Sequence, residues 1–121
     1  MKPQVVLTTL IGILFLACST TASPSDGGFV SKWGTYGEAD GEFKHPHGVA
    51  VGSDDNVYVA DISNQRIQKF TSDGVFVGKW GTEGEGDGQF NRPDGIEVAS
   101  DDNVYVADTG NHRIQKFLPV P

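Results

Sequence analysis

His45-Pro46-His47 returns 47 positions later as Arg92-Pro93-Asp94, so the residue after the proline is an imidazole in one place and a carboxylate in the other. His47 and Asp94 are the side chains of types suited to binding or metal ligation. One imidazole per chain does not make a zinc site, so a metal at His47 would need ligands from further copies. Asp61 and Arg66 recur as Asp108 and Arg113 at the same spacing. Such a pair can recognise a ligand on an exposed rim, or it can fix local geometry through a carboxylate–guanidinium contact. Its presence in both places favours the structural role, because a specialised site would break the pattern. Glu38, Asp40, Glu42 and Glu83, Glu85, Asp87 lie in glycine-laced stretches. They could offer oxygen to calcium but lack the ordered spacing of an EF-hand, and they read as solvated loop charge. Asp54-Asp55-Asn56 and its copy read as hairpin residues first. No nucleophile–base pair, paired acids or phosphate loop is found, and no serine sits in a nucleophile elbow.

These residues are positioned by a repeat. Residues 29–70 and 76–117 align without insertion or deletion, and 29 of the 42 positions are identical. A fixed period of this size marks a repeat architecture. Within each unit the alternation is that of short β-branched strands, as in Val57-Tyr58-Val59-Ala60. Four strands are predicted in the first unit: 48–51, 56–61, 66–70 and 75–80. Asp54-Asp55 and Asp73-Gly74 supply tight turns between them, and Pro46 precedes the first strand where its missing N–H is harmless. The unit is a four-stranded antiparallel meander, the form of a β-propeller blade. The aromatic residues Trp33, Trp80, Phe43, Phe90, Phe70 and Phe117 recur with the period, which points to packing between blades rather than to a carbohydrate platform.

The chain's 121 residues leave room for one small domain. With 16 acidic and 9 basic residues its net charge is −7, and without Lys2 it is −8. That excess argues against nucleic acid as a partner. The first residues differ in character: Lys2 is followed by an apolar run from Val5 to Ala17, long enough for a signal-peptide core and short for a bilayer span. Residues 1–22 are predicted to be a signal peptide and 23–28 a linker. Cleavage either precedes Cys18, which Leu14-Phe15-Leu16-Ala17-Cys18 supports by its similarity to a bacterial lipobox, or falls near Ala22. The first leaves Cys18 as a lipid-bearing residue and the membrane contact confined to that anchor. Both predict export to the cell envelope or outside. A single cysteine excludes an internal disulfide framework.

Gly41-Glu42-Phe43, Pro46, Gly48-Val49, Asn56 to Asp61 and Asn64 to Phe70 together closely resemble the NHL repeat. Gly88-Gln89-Phe90-Asn91, Pro93, Gly95 and Ala107 to Ile114 resemble it further, His112 falling in the family's turn pattern. The resemblance implies an all-β fold over 29–118: a partial propeller of two four-stranded blades, one at 48–80 and one at 95–117. The second blade stops after three strands, while 29–34 repeats the outer strand 76–81, so strand 29–34 is expected to complete a 95–117 blade. Two blades cannot close a ring. Three outcomes follow: the segment assembles, three copies giving six blades; it belongs to a longer propeller; or it stands alone as a poorly stable monomer, with assembly or a longer propeller favoured. The family likeness implies a non-catalytic scaffold for a protein or peptide, with His47 and Asp94 facing the channel and no cofactor. The alternative is a metal-dependent lyase or hydrolase resembling peptidyl-α-hydroxyglycine amidating lyase. A ring of three His47 and three Asp94 would then hold zinc or calcium in a channel formed on oligomerisation.

Overall fold

In a computed structural model of the chain, residues 27–120 are described. The predicted leader, including Cys18 and both cleavage points, lies outside the described residues. The chain divides into two units, Met1–Ser31 and Lys32–Pro121. Of the first, only residues 27–31 are described, as an exposed turn and coil.

The second unit is two antiparallel sheets. β1 (Pro46–Val51), β2 (Val57–Asp61), β3 (Arg66–Phe70) and β4 (Phe76–Trp80) are hydrogen-bonded in that order. A short parallel pair, β5 (Thr82–Glu83) and β6 (Gln89–Phe90), carries the chain across. β7 (Pro93–Val98), β8 (Val104–Asp108) and β9 (Arg113–Phe117) form the second sheet. The two registers are the same: Ala60 pairs Ile67 as Ala107 pairs Ile114, and Asp61 pairs Arg66 as Asp108 pairs Arg113. The hairpin at 52–56 turns on Asp55, whose φ is +65°, with the Asp54 carboxylate accepting the Asn56 N–H at 3.0 Å. This is the Asx geometry that favours Asp and Asn at turns. A three-residue 3-10 turn joins β2 to β3 and β8 to β9, and each ends on a residue in the left-handed region, Gln65 and His112.

The predicted strands stand with small adjustments: β2 and β4 begin one residue later than expected, at Val57 and Phe76, and β7 begins at Pro93 rather than Gly95. β1 begins at Pro46 rather than Gly48, because Pro46 pairs Asp61 across a bulge that separates it from the next pair, Val49–Val59. Residues 29–34 form no strand within the single chain. β4 draws its ladder from β3 of its own blade, and the blade that would stand beside 29–34 in the same way is not among the described residues. β9 accordingly pairs with β8 alone.

The core lies between the sheets. Tyr58, Ala60 and Ile67 of the first blade are closed over by Phe90, Val104 and Val106 of the second, all within 1% of complete burial. Trp80 and Phe117 border this layer, their ring centroids 5.5 Å apart. Burial at this level contributes about 1.5–3 kcal/mol for each large apolar side chain, so this layer is the main reason the two blades hold together. Gly48 makes the approach possible: a Cβ there would lie 2.3 Å from the Asp94 carbonyl oxygen.

Candidate functional site

Asp61 closes β2 with no solvent exposure and acts as a hub. One carboxylate oxygen accepts the Lys44 backbone N–H at 2.7 Å. The other accepts Asn64 Nδ2 at 2.9 Å, Arg66 Nε at 2.8 Å and Gln68 Nε2 at 3.3 Å. The remaining guanidinium donors of Arg66 run to the carbonyls of Glu38, Ala39 and Glu42. The expected pair therefore exists, but as a single-oxygen contact rather than a bidentate fork, because two of the three guanidinium nitrogens are committed to the loop at 38–42. The second blade repeats the knot: Asp108 accepts from Asn91, Asn111, Arg113 and Gln115, and Arg113 donates to the carbonyls of Glu85, Gly86 and Gln89. The acidic loops are thus fastened through their backbone. Glu38 is paired with Lys44 and Asp40 with Lys79. Among the described residues no group of three or more His, Cys, Asp or Glu side chains is arranged to hold a metal.

Desolvation works against ionisation of Asp108, yet the hydrogen bonds from Asn91, Asn111 and Arg113 and the guanidinium charge outweigh it and hold the carboxyl below its ordinary value. A depressed folded-state pKa contributes stability that is complete above the unfolded value, near pH 4, and is lost as pH falls through the folded one. The urea midpoint is expected to be level from pH 7 to about 5 and to fall below about 4. In Asp108→Asn the midpoint should start lower and the acid decline should be shallower, which urea titrations at a series of pH values will read.

The sequence-predicted binding residues come together at one end of the blades, where β1 and β7 begin and the 3-10 turns lie against them. His47 is exposed and Asp94 half-buried on neighbouring inner strands. The Asp94 carboxylate accepts the Thr109 hydroxyl at 2.7 Å, and this bond, opposed by desolvation and helped by the Gly95 N–H and the nearby His47, keeps its pKa low. His45 Nδ1 lies 2.8 Å from the Ser63 hydroxyl, and the Arg92 N–H donates to Gln65 Oε1 at 2.7 Å across the two blades. His45, Gln65, Arg92 and His112 all have φ between +54° and +59°. Each therefore sits on a tightly bent backbone that fixes its direction. Sequence reasoning missed a second clamp at the opposite end of β1, where Ser53 N–H and Oγ both donate to Asp102, lowering its pKa. Ser53 is predicted by nothing except its place beside the Asp-rich hairpin.

The NHL repeat family model matches residues 43–70 and 90–117. No curated protein matches the chain. Among solved structures, a streptogramin B lyase is similar at 20% identity and a TM-score of 0.45, covering 68% of this chain and 27% of that one. Virginiamycin B lyase from Staphylococcus aureus is similar at 22% identity and a TM-score of 0.43, covering 64% and 28%. A gluconolactonase from Xanthomonas campestris is similar at 20% identity and a TM-score of 0.43, covering 66% and 29%. The chain thus spans less than a third of the length of these structures. Residues 43–70 and 90–117, folded as adjoining antiparallel sheets in one register, are two NHL repeats, and together they form a partial β-propeller.

Proposed function

We propose that the chain is an exported β-propeller module that binds a protein or peptide without catalysis, at the end of the blades where β1 and β7 start. The observation that carries this reading is the mixture of groups gathered there, with His45 and Arg92 on left-handed backbone, the His45–Ser63 and Thr109–Asp94 pairs hydrogen-bonded, and His47 exposed beside them. Donors, acceptors and both charges stand within one surface, which suits the alternating N–H and C=O groups and mixed side chains of an extended peptide. Because the Asp61 and Asp108 knots fix the turns in advance, little ordering is left for binding to impose. Loops on a rigid scaffold commonly serve recognition.

Panning a displayed random-peptide library against the purified protein, followed by calorimetry on the selected peptides, tests this. Asp94→Ala is expected to weaken them at least tenfold, about 1.4 kcal/mol. Equal affinity for wild type and Asp94→Ala would remove the proposal. Stoichiometric zinc or calcium that disappears in His47→Ala, together with lyase or hydrolase turnover, would replace it with the metal-dependent alternative.

A further inference from the structure

The layer between the blades is built from one face of each repeat, and each repeat carries both faces. The first blade presents Tyr58, Ala60 and Ile67, which are buried against Phe90, Val104 and Val106 of the second. Translated by one period, the burying set becomes Tyr105, Ala107 and Ile114, identical in type, on the outer face of the second blade. There Ile114 is 67% exposed, whereas Ile67 is 0% exposed. The receiving set becomes Phe43, Val57 and Val59 on the outer face of the first blade, again identical in type. Beside them Val49 and Val51, the counterparts of half-buried Ile96 and Val98, are 62% and 58% exposed. A groove of about 310 Å³ lies on this face, lined by Trp33, Phe43, Pro46, Val49, Val57 and Val59. Each of these is the counterpart of a residue at the internal layer.

We propose that this groove receives the second blade of another copy of the chain, head to tail, in the arrangement that the internal layer already displays. Three further details of the internal contact recur on the free faces. The Ser53–Asp102 clamp has its counterpart in Ser100 of one copy and Asp55 of the next, both exposed here. Lys69 Nζ, which donates to the Val120 carbonyl at 2.5 Å, has its counterpart in Lys116, and the position of Val120 is taken by Asp73. Trp33 already stands where Trp80 stands: its ring lies 5.8 Å from Phe70, as Trp80 lies 5.5 Å from Phe117. Residues 29–34 are thereby brought to the open edge of β9 of the docked copy, where Trp33 would pair Ile114 as Trp80 pairs Ile67. The contact is heterologous, so it closes into a ring when the rotation permits. Propellers of about four to eight blades correspond to about two to four copies.

Glycine supplies the sharpest test. A Cβ at Gly48 is excluded inside the chain by the Asp94 carbonyl, but at Gly95 it would meet only the Ala107 Cβ at 3.4 Å, an ordinary contact. In the docked pair the counterpart of that carbonyl is the one on His47 of the next copy. Gly95→Ala should therefore fold as the wild type does and fail to associate. Sedimentation equilibrium of the full-length chain should give a molar mass of two to four times 12.9 kDa. Gly95→Ala should give one, with an unchanged circular dichroism spectrum, and Ile114→Lys should do the same. A wild type that stays monomeric to about 100 times the concentration of a micromolar contact, as when this groove is filled by further blades of a longer polypeptide, would overturn the proposal. So would a Gly95→Ala chain that associates as the wild type does. The peptide-binding end adjoins this contact at Pro46–His47 and Asp94–Gly95. Ile114→Lys lies outside that end and so separates the two readings: loss of association with unchanged peptide affinity leaves the binding proposal standing.

Discussion

Asp61→Ala is expected to lower the thermal unfolding midpoint by roughly 12 °C or more. Removing one member of a buried ion pair costs about 3–5 kcal/mol because the partner charge is stranded, and each kcal/mol moves the midpoint of a domain this size by about 4–8 °C. Arg66 is only 7% exposed, so it cannot recover in water what it loses. The Lys44 N–H and the Asn64 amide lose their acceptor in the same step. Arg66 would still hold the carbonyls of Glu38, Ala39 and Glu42, so a double substitution separates the contributions. Adding Arg66→Met to Asp61→Ala should destabilise by less than the two single changes summed, since no charge is left buried without a partner. Glu38→Ala, which opens an ion pair whose acid is largely exposed, should leave the midpoint where it was. Near-ultraviolet circular dichroism of Trp33 and Trp80 during heating gives all four midpoints. A fall of less than about 4 °C for Asp61→Ala would show that the knot is not what fastens the loop.

The repeat made the strand order, the turns and this knot legible, because each depends on local pattern: alternation in Val57-Tyr58-Val59-Ala60, Asx chemistry at Asp54 and Asp101, and a carboxylate paired across a hairpin with Arg66 or Arg113. What stayed hidden depends on what stands opposite. Gly48 and Gly95 occupy the same place in the repeat, and only the structure shows that one faces a carbonyl at close range and the other no more than the Ala107 side chain at ordinary contact distance. The bulge that lets Pro46 join β1 arises from its pairing with Asp61, a partner 15 residues away that alternation does not register. Lys69 reads as a surface residue, yet it is 3% exposed, its ammonium lying over the Tyr58 ring and against the Val120 carbonyl. His47 and Asp94 could be picked from the break they make in the repeat. Ser63, the hydroxyl partner of His45, and Thr109, that of Asp94, could not, since hydroxyl partners of this kind are set by the turn that follows β2 or β8.

Arg66 to Phe70 and Arg113 to Phe117 are the same five residues, and identical substitutions in them are expected to behave differently. Ile67→Ala removes a side chain with no exposure from the layer between the blades and should cost about 2–5 kcal/mol. Ile114→Ala removes one that is 67% exposed and should change the stability of the single chain by no more than about 0.5 kcal/mol. Urea unfolding at a protein concentration low enough to keep the chain monomeric measures both. Propensity, charge and register cancel in this comparison, because β2–β3 and β8–β9 pair alike. The difference between the two values therefore reports the covering blade together with β4, whose Trp80 pairs Ile67 while Ile114 stands on an edge strand. Raising the protein concentration should then stabilise the wild type and leave Ile114→Ala behind, since a contact that buries Ile114 adds to stability by mass action. Equal costs at low concentration would mean that the Tyr-Ala-Ile face is not what joins the blades, and the groove on the first blade would lose its reason to receive one.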